Sequence, residues 1–162
     1  MATQQGEDLD LRDRRLSVID LTEGPAPRLL VVDDDPDVRA WLRIALELQG
    51  WVVEEASTAE EALEMVGRVP PDLVILDHHL PGATGLGCAR ILRERHPGMS
   101  LVMFSAYLDR IQETEADLLE LETISKVDHD SLLRYLSAHL EALTERTTGR
   151  LGTETPSRST RR

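Results

Sequence analysis

Cysteine is nearly absent from this chain. Cys88 stands alone, so no internal disulfide can form, which agrees with a reducing compartment. Long apolar runs are missing too. Nothing approaches the roughly 20 residues that cross a bilayer, and the N-terminus "MATQQGEDLDLRDRR" is acidic where a signal peptide would be basic and then apolar. A cytoplasmic protein with no membrane contact is expected. Positive charge is also scarce, with 18 Lys and Arg against 30 Asp and Glu and a formal net charge of -12. Phosphate binding relies on clustered Lys and Arg, so the balance argues against nucleic acid as a direct partner. Metal ions and cationic partners fit better.

What is present is enough for one domain. A chain of 162 residues, 41% of them hydrophobic, supports a single core with unstructured ends. Residues 1–27 are polar and acidic and end in "EGPAP", a linker signal, so they read as a flexible arm carrying the short apolar patch "LSVIDL" at 16–21. Residues 28–143 hold the periodic patterns of a folded domain. Residues 144–162 are rich in Thr, Ser, Gly and Arg, and a disordered basic tail is expected there.

The middle part alternates between two periods. "LLVVD" (29–33), "WVVEEA" (51–56), "DLVILD" (72–77) and "SLVMFS" (100–105) read as buried strands, with a weaker fifth, "ETIS", ending at Ser125. Between them lie helical patterns. Val38, Trp41, Leu42 and Ala45 make one apolar face, with Arg39, Arg43 and Glu47 as an exposed stripe. Asp35 suits the N-cap of that helix, Pro36 its first position and Gly50 its stop. Ala59, Ala62, Leu63 and Val66 mark a second helix, where Ser57 with Glu60 or Thr58 with Glu61 would form a capping box. A third spans about 85–95, with Cys88 as a small buried residue, and an acidic fourth lies near 108–120. The fifth covers about 131–143, with Leu133, Leu136, Leu140 and Leu143 inward.

Strands alternating with helices imply an α/β fold with a parallel sheet, and functional groups then gather beyond the carboxyl ends of the strands. Asp33 and Asp34 end the first strand, Asp77 the third and Ser105 the fourth, and Lys126 follows the fifth. Such a sheet brings three carboxylates, a hydroxyl and an ammonium to one edge.

At this point the chain resembles the receiver domain of two-component response regulators, through "LLVVDDDPDVR", "PDLVILDHHLPGATGL", "LVMFSA" and "SKV" in the right order and spacing. The resemblance covers about residues 28–143 and implies a flavodoxin-like, doubly wound (βα)5 fold with strand order 2-1-3-4-5. It implies that Asp77 is the phosphoacceptor and that Asp33, Asp34, Asp77 and the backbone carbonyl of His79 hold Mg²⁺. Ser105 would hydrogen-bond the phosphoryl group, and Lys126 would pair with it. The chemistry asks for the same groups independently, because moving a phosphoryl group onto a carboxylate sets like charges face to face unless a cation bridges them. Mg²⁺ takes one or two carboxylates and keeps several waters, which suits Asp34 and Asp77 as direct ligands and Asp33 through water.

Each residue alone has an ordinary reading: Asp35 is assigned as a helix cap, Lys126 alone is a surface lysine, and the adjacent His78 and His79 lack a third ligand for zinc or copper. Together they carry the functional reading. Two departures from the family stand out. Val127 replaces the proline usual after the lysine, so that loop is expected to be trans or strained. Thr123 stands where an aromatic switch residue commonly sits, and no glycine precedes the fifth strand. Tyr107, two residues past Ser105, is expected to shield the path of the water that hydrolyses the phosphoryl group. Asp109, Glu113, Glu115, Asp117, Glu120 and Glu122 form an acidic surface, read as a solvated face ahead of a dock for a basic partner.

The expected function is that of a single-domain response regulator, a phosphoacceptor and not an enzyme with turnover. It takes a phosphoryl group from a histidine kinase or phosphotransfer protein and acts through altered protein contacts or relay, with dimerisation left open. A receiver-fold adaptor that signals without phosphate is the alternative. A haloacid-dehalogenase-type phosphatase fits less well, because its D-x-D-x-T signature needs Thr or Val where Asp37 stands.

Overall fold

The structure, a computed structural model, describes residues 25–151, with side chains through residue 146. The acidic arm with its "LSVIDL" patch and the last part of the tail lie outside the described residues.

Why three strands carry unbroken apolar stretches follows from their place in the sheet. Five parallel strands run in the order β2-β1-β3-β4-β5. β1 (Arg28–Val32), β3 (Leu73–Leu76) and β4 (Ser100–Ser105) have neighbours on both sides and helices over both faces, so both sides of each strand need apolar residues. Alternate residues of β1 feed two cores. Leu30 and Val32 face α2 (Ala59–Arg68) and α3 (Gly85–Arg95), whereas Leu29 and Val31 face α1 (Pro36–Glu47) and α5 (His129–Leu151).

The edges differ from expectation. "WVVEEA" reads as a buried strand, yet β2 (Val52–Ala56) is an edge whose residues are mostly half-exposed. Its Glu54 pairs with Arg28, and Glu55 with both Arg39 and Arg43, so charges guard an edge that would otherwise template pairing. Arg39 therefore leaves the expected exposed stripe and turns inward. Trp41 does the reverse: expected on the apolar face, it is 36% exposed, while Leu42 and Leu46 carry the burial in α1. β5 (Glu122–Ser125) forms the opposite edge.

The helix signals hold at most ends. Asp35 accepts from the Asp37 N–H, and Pro36 opens α1. Of the two box registers, Thr58 accepts from the Glu61 N–H while the Glu61 carboxylate accepts from the Ser57 N–H. α4 (Arg110–Leu118) starts on a capping box the sequence reading passed over: Asp109 accepts from the Gln112 N–H, and the Gln112 side chain accepts from the Asp109 N–H. It ends in a Schellman motif, with Leu121 N–H bonded to Ala116 O and Glu120 N–H to Asp117 O. The glycine missing before β5 is replaced there by Glu120, at φ 54°. In α5 the deepest residues are Leu132 and Leu136, with Leu133, Leu140 and Leu143 half-buried, and the helix continues to Leu151, past the expected end at 143.

Candidate functional site

Register sets the site. Asp33 donates its N–H to Ala56 O, and Asp77 donates its own to Val32 O, so each carries the sheet ladder one step past its strand. Both side chains stand at the carboxyl edge between neighbouring strands. At the far side Ser105 pairs with Ser125, and the Lys126 N–H donates to Ser105 O at 2.9 Å. That bond ends β5 with Lys126 pointing back over the sheet. Its Nζ lies 2.6 Å from Asp33 Oδ2 and 3.0 Å from Asp77 Oδ2. Asp34 joins from the exposed side, and Asp33, Asp34 and Asp77 can each offer a carboxylate oxygen within 4.8 Å of the others.

The charges do not balance. Asp33 and Asp77 are buried, at 2% and 4% exposure, and one ammonium faces three carboxylates. Burial pushes the Asp33 carboxyl up, and the pull of Lys126 and of the Asp35 N–H does not bring it back to the ordinary range. For Lys126, burial works downward, but the ion pairs with Asp33 and Asp77 outweigh it and hold the ammonium above the usual lysine range. Both Asp33 oxygens are engaged, Oδ1 by the Asp35 N–H at 3.0 Å and Oδ2 by Lys126. Asp77 Oδ1 is buried without a partner, a position that costs about 1–3 kcal/mol or more for a charged group unless a ligand satisfies it. Three hard oxygen donors, an excess of negative charge and an orphaned carboxylate oxygen together suit a small divalent cation.

Three supporting residues escaped the sequence reading. Arg39 Nη1 donates to Asp33 O at 2.7 Å while its Nε reaches Glu55 at 3.3 Å, which braces the loop carrying the acidic pair. Only the tertiary position of Glu55 reveals this. Gly85 opens α3 against the loop that follows β3: its N–H donates to His78 O at 2.8 Å, and a Cβ there would lie 2.1 Å from Asp77 O. A glycine at the first position of a helix, where it weakens the helix, is the signal that could have found it. Gln112 is the third. It lies 2.9 Å from the buried ring of His78.

The remaining predicted residues are placed as follows. Ser105 is buried, with its hydroxyl 3.5 Å from Tyr107 O. His79 is exposed, and its backbone bridges Thr84 across the loop. Burial, then the neighbouring His79, lower the pKa of His78. Tyr107, 72% exposed, joins Ser105, Leu108, Thr123 and Ile124 around a cavity of about 260 Å³. No peptide bond among the described residues is cis, so Lys126 and Val127 are joined in trans. Cys88 is buried, which pushes its thiol to about 11 and leaves it inert, as its helical pattern implies.

Comparisons with known proteins give the fold and the family. Solved structures share the fold: a CheY-like receiver domain protein from Methanospirillum hungatei aligns at TM-score 0.68 and 24% identity, covering 78% of this chain and 99% of its own. Response regulator protein TrrA from Thermotoga maritima, solved in complex with Mg²⁺–BeF, aligns at TM-score 0.63 and 28% identity, covering 69% of this chain and 97% of its own. Among curated relatives, response regulator MprA of Mycobacterium leprae is 37% identical over 120 residues, 74% of this chain and 52% of that protein. Response regulator protein PilR of Pseudomonas aeruginosa is 36% identical over 80 residues, 49% of this chain and 18% of that protein. The chain thus spans about half or less of the length of these relatives. The family model for the response regulator receiver domain matches residues 29–136, well over half of the chain, and its acidic pocket, lysine and strand order all lie within that match. The chain belongs to the response regulator receiver domain family.

Proposed function

We propose that this chain accepts a phosphoryl group on Asp77 from the phosphohistidine of a histidine kinase or phosphotransfer protein. The observation that carries the reading is Lys126, which reaches two carboxylates at once and still leaves Asp77 Oδ1 unpartnered. In the transfer, an Asp77 carboxylate oxygen forms a bond to phosphorus, the bond from phosphorus to the donor imidazole nitrogen breaks, and the electron pair leaves with the imidazole. Lys126 offsets charge on the incoming oxygens, and Ser105 can turn its hydroxyl from Tyr107 O toward the new group. Asp34 has the most accessible carboxylate, and the Asp33 oxygens are already engaged, which supports Asp34 and Asp77 as direct metal ligands with Asp33 acting through water. The backbone carbonyl of His79 is the further ligand proposed. Mg²⁺ would supply charge neutralisation between the entering phosphoryl oxygens and the carboxylates, and the TrrA complex supports the choice of metal.

Output then follows as a shift between two existing conformations that changes which proteins bind, or as relay of the phosphoryl group onward. The chain acts as a phosphoacceptor rather than as a catalyst with turnover.

Incubation with Mg²⁺ and a small phosphodonor tests the reading. Label on Asp77 that is released by alkali or hydroxylamine, and is lost in Asp77→Asn and on chelation, is the expected result. A folded protein that takes no label would leave the phosphate-independent adaptor, the reading that Thr123 and Val127 raise.

A further inference from the structure

His78 sits next to the phosphoacceptor in sequence and touches α4 in space. Its ring is 5% exposed, and its Nε2 lies 2.9 Å from Nε2 of Gln112, thirty-four positions away. The chemistry of that contact is fixed from the other end. Gln112 Oε1 accepts from the Asp109 N–H at 2.8 Å, so the amide nitrogen is the group turned toward His78. An amide nitrogen only donates. His78 Nε2 must therefore accept, and the ring is neutral with its proton on Nδ1. Nδ1 is buried and finds no partner, which leaves Gln112 as the one hydrogen bond of this ring among the described residues.

Both ends of the contact sit where a signal needs them. On one side the backbone of His78 is held by Gly85, whose N–H donates to His78 O and whose missing Cβ lets α3 press against Asp77 and His78. On the other, Gln112 is the third residue of α4 and closes its capping box, so the same amide holds the helix start and the ring. Farther along, α3 holds α4 through the Arg90–Glu115 ion pair and through Arg93, which donates to the carbonyls of Leu119 and Glu120. Ala116 is its one fully buried residue, and the cavity beside Tyr107 and Thr123 leaves the preceding loop room to shift. The residue after Asp77 thus reaches the first turn of α4 directly, through the His78–Gln112 bond.

We propose that this bond carries the phosphorylation state of Asp77 to α4, making His78 and Gln112 positioning residues for the start of that helix. The proposal rests on Asp77 being the phosphoacceptor. Hydrogen exchange of the α4 amides, measured on the full chain before and after phosphorylation by Mg²⁺ and a small phosphodonor, tests it. In the native protein, exchange across residues 110–121 changes with phosphorylation. In Gln112→Met and in His78→Leu, Asp77 is still labelled but the phosphorylation-dependent change is lost. Gln112→Glu retains it, because a carboxylate can accept from Asp109 and also from a His78 ring that has moved its proton to Nε2. A merely structural role would raise the baseline exchange of α4 in Gln112→Met and leave the response to phosphorylation intact. That result overturns the proposal, as does a labelled native protein whose α4 does not respond. Absence of label on native Asp77 is a separate outcome, which removes the phosphoacceptor reading and the link with it.

Discussion

A Cβ on Gly85 would fall 2.1 Å from the carbonyl oxygen of Asp77 and 2.9 Å from its carbonyl carbon. No side chain escapes that contact by rotating, because the clash begins at the first carbon and the opposing atoms are backbone. Gly85→Ala must push α3 away from the β3 loop or displace Asp77. A destabilisation of at least about 3 kcal/mol is expected, beyond the usual overpacking of a core, together with loss of labelling at Asp77. Denaturant unfolding reads the first and phosphodonor labelling the second. A variant of native stability and full labelling would mean that the two backbones do not meet this closely.

Lys126 is a cation already lodged between Asp33 and Asp77, so it competes with a metal for the same field. Lys126→Met should bind Mg²⁺ more tightly, by an amount on the order of 1–3 kcal/mol at the effective dielectric of a partly buried site. The same variant should accept phosphoryl groups more slowly, because the charge that faces the incoming oxygens is gone. Metal titration and labelling kinetics check the two together. Weaker Mg²⁺ binding in the variant would show that Lys126 supports the metal instead of competing with it.

Tyr107 lies in the loop after β4, where its own carbonyl accepts from the Ser105 hydroxyl and its side chain is largely in solvent. The expected role is to slow the entry of water to the phosphorylated site, so Tyr107→Ala should shorten the lifetime of the phosphorylated form severalfold. An unchanged decay rate removes that role.

Glu120 occupies the left-handed position of the α4 Schellman motif at φ 54°. A residue with a Cβ is strained there by roughly 1–2 kcal/mol, and glycine is not. Its own flexibility in the unfolded chain offsets part of the gain, so Glu120→Gly should stabilise the protein by about 1 kcal/mol. Thermal unfolding measures it. A lower midpoint would imply that the Glu120 side chain contributes something its exposed position does not suggest.

His139 stacks between Trp51 and Tyr135, with ring centroids 6.5 Å and 6.0 Å away. Burial first, then Arg146, lower its pKa, while Asp72 pulls the other way. The folded state thus favours the neutral ring. Stability from this group is present above the unfolded value near 6.5 and falls away as pH drops through the lower folded value. Unfolding midpoints should therefore decrease on acidification below about pH 6.5, and His139→Gln should flatten that slope. His78 shifts in the same direction, so some slope remains in the variant. An identical slope in both proteins would place the titration elsewhere.

The element order and the identity of the acidic pocket were legible because each rests on local chemistry. β1, β3 and β4 are continuous apolar runs since they are buried on both faces, and Asp33, Asp34 and Asp77 end two of those runs. Asp35 and Thr58 mark helix starts through bonds that span only two or three residues, and Pro36 through its fixed φ. Burial was harder to read. Trp41 looks like a core residue by spacing, but the packing of α1 selects Leu42 and Leu46, about 100° and 140° around the helix from it. β2 looks like a core strand by composition, but its place at the sheet edge turns Glu54 and Glu55 into partners for three arginines.

The sequence by itself determined the parallel α/β frame and the residues that gather at its carboxyl edge, because hydrophobic period and strand-terminal polarity act over a few neighbouring positions. Only the tertiary structure decided how those residues are braced. Arg39 donates to Asp33 O while Glu55 of β2 holds its Nε, Gly85 meets Asp77 across a loop, and His78 meets Gln112 from a helix thirty-four residues on. Such contacts depend on the distance and angle between packed elements, and no spacing along the chain encodes them.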